Sequence, residues 1–290
     1  MPKLLMFVLA VVAAKLLPIA QSHARYKANQ VRGEYVPPKN AEHEPMYQNL
    51  KNLRVLERMS ELLSPLRLPR RLTLKVEGCD GEVNAYYEDD VVTICYEYVD
   101  YIIKSAPKGG APAEALGVTN KIALVGPTVD VFLHETGHAV FHMLRIPVFG
   151  REEDAADQFS AYIMLQFATE DARKLIMGAA FLGAKDAMEA QKQNASLKDF
   201  ADEHGLPAQR YFNLLCMAYG ADPKTFGNAV KIGQLPAERA EGCADEYKQV
   251  QYAFRRLIRP YVSRGLARKV RQKRWLDFDK ALPQAAAEGK

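Results

Sequence analysis

The 290-residue sequence has little net charge, no C-x-x-C pair, no internal repeat and no unbroken apolar run of membrane-spanning length. Each absence removes a class of function. A formal charge of +4 is far from the strong basic excess of a nucleic-acid binder. The one basic concentration, Arg264, Arg268, Lys269, Arg271, Lys273 and Arg274, reads as a solvated helix face or a frayed end. Without C-x-x-C spacing, a cysteine-based zinc site has little support. The first apolar run, Leu4 to Ala20, is interrupted by Lys15 and Pro18 and falls short of the roughly 20 residues a spanning helix needs. What the chain does have is ordinary globular composition, 48% hydrophobic and 26% charged, with ample material for a core.

The first run reads as a secretory signal over residues 1–24, with Lys3 as its charged start and Ser22-His23-Ala24 as a small-x-small cleavage site before Arg25. Cleavage removes Lys3 and Lys15 and no acid, so the charge falls to +2. No cysteine follows the run to take a lipid, and no stable membrane insertion is expected after cleavage. Export to the periplasm or the medium places Cys79, Cys95, Cys216 and Cys243 in an oxidising compartment, where an even count favours disulfides. Of the three formal pairings, the sequence-local one is favoured: Cys79 with Cys95 and Cys216 with Cys243. Each bridge would contribute roughly 3 kcal/mol in the chain-entropy model.

Leu50, Leu53, Leu56, Met59 and Leu63 recur at helical spacing and predict one amphipathic helix over 46–63. From Leu72 the period changes to two, with Leu72, Leu74 and Val76 on one face of a strand. A turn at Gly78 to Gly81 and two further strands, Asn84 to Tyr87 and Val91 to Tyr96, suggest a small antiparallel meander stapled by Cys79 and Cys95. The Pro, Gly and Ala of Ser105 to Gly117 read as a loop. From Thr128 the pattern is helical almost to the end. The expected class is therefore α+β and mostly helical: one domain over 25–262, then a basic tail over 263–290 that is partly disordered.

Residues 134–138 read His-Glu-Thr-Gly-His, an H-E-x-x-H pattern whose meaning depends on lying in a helix. Pro127 and Thr128 predict that helix's start, Thr128 as N-cap, and Pro147 bounds its end. Val129, Phe132, Thr136, Val140 and Met143 form its core-facing strip. His134 and His138 then project together, about 6 Å apart along the axis, close enough for both to reach one zinc ion. Glu135 lies about 100° round from His134, beside the ligands. A catalytic zinc needs a third protein ligand and an open position. Fifteen residues after His138 comes Glu153, at the start of a second helical pattern. Glu152, Asp154 and Asp157 compete for that role. Choosing Glu153 leaves Asp157 one turn on to accept an N–H from a ligand histidine. His142 lies about 12 Å from His134 in a straight helix, too far to share the ion. His43 and His204 have no ligand-like spacing.

These two segments resemble the zincin-like peptidases of the glutamate-ligand type, whose second helix carries E-x-x-A-D or E-x-x-A-N; here Glu153, Ala156 and Asp157 match it. More narrowly, the chain is similar to a family of secreted bacterial proteins labelled "putative metallopeptidases". That likeness rests on Cys79, Asn84-Ala85-Tyr86-Tyr87, Cys95-Tyr96-Glu97, the two metal segments, Cys216, Tyr219-Gly220-Ala221-Asp222-Pro223 and Cys243, and covers roughly 45–260. The resemblance implies a zincin-like fold, one Zn2+ per chain and peptidase-like chemistry on a peptide or protein substrate. The expected mechanism is hydrolysis by a zinc-bound water activated by Glu135. The alternative is a zinc-stabilised binding or scaffold protein that has lost turnover.

Overall fold

Short strands in the N-terminal half pair into a small sheet. The computed structural model describes residues 26–107, 117–193 and 196–275. The signal reading over 1–24, the middle of the Pro/Gly/Ala loop and the chain beyond 275 lie outside them. Four strands form the sheet: β1 (Val31–Tyr35), β2 (Leu72–Glu77), β3 (Ala85–Glu88) and β4 (Val91–Cys95), in the order β1-β2-β4-β3. Leu72, Leu74 and Val76 of β2 are buried as their alternation predicts.

The antiparallel meander is corrected to a mixed sheet. β1 pairs with β2 and β2 with β4 in parallel, and only β3 and β4 are antiparallel. The cause is the crossover after β2. Glu77 is in register with Cys95, the Cys79–Cys95 disulfide joins the last residue of β4 to the second residue after β2, and the Glu97 carboxylate accepts the N–H groups of Cys79 and Gly81. Two strands joined at the same end run the same way. β3 and β4 meet through Asp89 and Asp90, both at positive φ, the backbone a two-residue hairpin turn requires.

The expected helix over 46–63 is two, α1 (Glu44–Asn52) and α2 (Val55–Leu63), divided where Arg54 adopts a left-handed conformation. Then come α3 (Tyr96–Ser105), α4 (Asn120–Leu144), α5 (Glu152–Met164), α6 (Thr169–Gln193), α7 (Leu197–Phe200) and α8 (Pro207–Ala221). The last are α9 (Pro223–Lys231), α10 (Ala237–Ala240), α11 (Cys243–Ala253) and α12 (Arg264–Gln272). Cys216 of α8 is bonded to Cys243 at the head of α11, so both disulfides follow the sequence-local pairing. Among the described residues no helix is long and apolar enough to cross a membrane.

α4 is the central element, packed against β3, β4, α3, α5 and α6. Its start differs from expectation: Thr119, not Thr128, is the N-cap, its hydroxyl accepting the N–H of Ile122, and Pro127 lies inside the helix. A proline there costs about 3 kcal/mol. Tertiary burial offsets it, for Phe132, Thr136, Val140 and Met143 are buried on the core side. α4 and α6 also approach backbone to backbone, because a Cβ on Gly178 would stand 2.2 Å from the Ile122 carbonyl oxygen. A Gly178→Ala variant should therefore lose about 1–3 kcal/mol to overpacking, more than the helix propensity it gains. Urea unfolding reads this directly, and an unchanged or raised midpoint would refute it.

Candidate metal centre

His134, Glu135 and His138 lie on one stretch of α4 and Glu153 at the head of α5, and what lets the helices meet there is small side chains. A Cβ on Gly137 would already be 3.2 Å from the Cα of Ala156, and Ala156 is fully buried. The glycine of the first segment and the alanine of the second thus face each other, bringing Glu153 across to the histidines. Its carboxylate oxygens lie 3.0 Å from His134 Nε2 and 3.4 Å from His138 Nε2, and the two Nε2 atoms are 3.3 Å apart. The structure brings these three predicted residues together.

Each ring is held from behind. His134 Nδ1 donates to Asp157 at 2.8 Å, and His138 Nδ1 to Glu152 at 2.8 Å. Arg210 of α8 in turn grips Asp157 with two bonds, from Nε at 2.8 Å and from an Nη at 2.7 Å. Asp157 thus stands where the sequence suggested, and Glu152, a rival for the third ligand, instead orients His138. An Asp157→Asn variant keeps the shape but loses the ionic acceptor. It should weaken metal binding by about 10- to 100-fold, measured by competition against a chelator; equal affinity would remove Asp157 from the site.

Its spacing gives His204 no role, yet His204 belongs here. Its Nε2 is 2.9 Å from Glu153 Oε2, its Nδ1 donates to Asp202 at 3.1 Å, and its ring stacks on that of His134. His134, Glu153 and His204 offer ligand atoms within 4.8 Å of one another, a group able to hold a metal ion. The only sequence signal was local: Asp202-Glu203-His204 puts an acid two residues before a histidine, beside the breaker Gly205-Leu206-Pro207. Arg210 carried no signal at all. His142 lies away from the cluster, its Nδ1 2.9 Å from the Tyr87 hydroxyl, and His43 packs on Tyr96.

The electrostatics follow from one carboxylate shared by three imidazoles. Burial alone would raise the pKa of Glu153, but His134, His138 and His204 hold it well below the usual carboxylate range. Burial would lower His134, yet Asp157 and Glu153 outweigh it and lift the ring to about 10. Asp157 is likewise held low by His134 and Arg210 against its burial. Glu135 moves the other way. It is buried at 7% exposure, and that burial raises its pKa, toward the range in which a carboxylate exchanges protons efficiently.

A cavity of about 510 Å³ lies on the Asp157 side of the cluster, lined by Tyr98, Asp130, Asp186, Arg210 and His204 among others. Of the residues around the cluster, Asp157, Asp202, His204 and Arg210 line it. Asp130, deep in it, accepts a hydrogen bond from Ser160, and burial raises its pKa.

No curated protein and no solved structure matches the chain. Residues 35–258, which include both disulfides and every member of the cluster, match the model of a protein family described as "Putative metallopeptidase", and the chain belongs to that family.

Proposed function

We propose that the protein is an exported zinc-dependent peptidase, made with residues 1–24 as a cleaved signal and folded over 25–262 as one zincin-like domain. One Zn2+ per chain sits on His134, His138 and Glu153, with Glu135 as the proton carrier. The observation that carries this reading is that the Glu153 carboxylate spans both rings, Oε2 at 3.0 Å from His134 Nε2 and Oε1 at 3.4 Å from His138 Nε2, while the two Nε2 atoms stand 3.3 Å apart. Neighbouring donors around a tetrahedral zinc, with bonds near 2.0–2.1 Å, stand about 3.3 Å apart. Two imidazoles and one carboxylate are also a donor set of catalytic zinc.

Bound there, zinc supplies Lewis acidity, polarising the scissile carbonyl and easing ionisation of the attacking water. Glu135 takes that water's proton and delivers it to the departing amide nitrogen; its raised pKa suits both steps. Asp157 and Glu152 fix the tautomers that leave each Nε2 free to ligate. β3 is one of the two edge strands of the sheet and packs against α4, and its outer edge offers an extended peptide a pairing partner. Two disulfides suit an exported chain.

One observation favours a second reading, a zinc-stabilised binding or scaffold protein. His204 Nε2 lies 2.9 Å from Glu153 Oε2 and could add a fourth donor, and a zinc with four protein ligands is the structural kind. Incubating the zinc-loaded mature protein with a peptide library separates the two. The peptidase cleaves; zinc at one per chain with no cleaved peptide identifies the scaffold.

A further inference from the structure

We infer that His204 is a fourth, displaceable donor to the metal centre, closing it at rest and withdrawing to admit substrate. The inference rests on the zinc reading above. Its first support is a repeated pattern: three imidazoles surround Glu153, and each has a carboxylate on its Nδ1. Asp157 holds His134 at 2.8 Å, Glu152 holds His138 at 2.8 Å and Asp202 holds His204 at 3.1 Å. A carboxylate on Nδ1 is what fixes a ligating histidine with Nε2 presented to the metal. His204 has it, and nothing about an ordinary surface histidine requires it.

The second support is how differently His204 is mounted. The side chains of His134, His138 and Glu153 are 8%, 13% and 14% exposed and grow from packed helices, whereas that of His204 is 43% exposed. It sits in the link between α7 and α8, tied by Asp202 accepting its own backbone N–H and by Arg151 donating to its carbonyl at 3.3 Å. A peptidase needs one coordination position open. Of the four donors, only His204 can leave without unpacking a helix. Because it also lines the 510 Å³ cavity, its departure joins the metal centre to that space.

The test loads the metal-free full-length mature protein with cobalt(II), whose visible absorption is stronger in four-coordinate sites than in five- or six-coordinate ones. Affinity is measured by chelator competition and the absorption is titrated with acetohydroxamate, a small metal-binding acid. His204→Ala is expected to keep one cobalt per chain, bind it at least tenfold more weakly and absorb less. It should also respond to acetohydroxamate at a concentration at least tenfold lower than wild type. Asp202→Asn, which leaves His204 in place, should move the same readouts less far and covers the case in which His204→Ala does not fold. Unchanged affinity and absorption in both variants would overturn the inference while leaving the metal centre standing. A wild-type spectrum that never responds to acetohydroxamate would make His204 a fixed ligand and overturn its displacement. Failure of wild type to bind cobalt at all would instead defeat the zinc reading on which the inference depends.

Discussion

Replacing Glu135 by Gln should abolish peptide hydrolysis while leaving zinc at one per chain. The substitution preserves size and burial but removes the carboxylate that carries the water's proton in this reading. General acid–base catalysis by one positioned side chain is worth about 10²- to 10⁴-fold, and kcat should fall by that much. Burial raises the pKa of the Glu135 carboxyl, so a neutral amide there relieves a desolvation cost, and thermal stability should hold or rise. The combination of lost turnover, kept metal and kept stability is specific to a proton carrier. A variant that loses zinc as well would make Glu135 a ligand, and one that keeps full activity would remove it from the chemistry.

Glu153→Ala is the second large effect, and it strikes the metal rather than the proton. Glu153 is the one carboxylate on which His134, His138 and His204 all converge. Removing it leaves the three imidazoles without the carboxylate they share. Zinc affinity should fall by more than the roughly 100-fold that loss of a supporting partner costs, and activity with it. Equilibrium dialysis against buffered zinc measures the first, and zinc added back in excess should restore wild-type activity after chelation but not that of the variant. Undiminished affinity in Glu153→Ala would pass the third position to Glu152 or another acid.

Much of this centre was legible in the sequence because its parts obey helical spacing. His134 and His138 share a face four residues apart, and Asp157 follows Glu153 by one turn. The Gly137 and Ala156 positions, which read only as letters of a motif, acquire their reason in the 3.2 Å approach of α4 to α5. What spacing does not encode was lost. His204 and Arg210 reach the site through the turn before α8, so no period connects them with His134. β1 carries no sequence signal, because only Val31 of its five residues is buried, leaving no alternation to detect. The strand order was misread because short connections suggest neighbours in the sheet, whereas the Cys79–Cys95 bridge ties two strand ends together and forces a parallel pair. Pro127 looked like a helix start because local chemistry favours that, and the packing of α4 on α6 overrode it.

The central claim is that two histidines of α4 and one glutamate of α5 close on a single zinc ion, and anomalous diffraction from crystals of the zinc-loaded protein tests it most directly. One peak about 2.0–2.2 Å from His134 Nε2, His138 Nε2 and a Glu153 carboxylate oxygen is the predicted result. A zinc peak elsewhere on the chain, or none at this cluster in a loaded crystal, would contradict it.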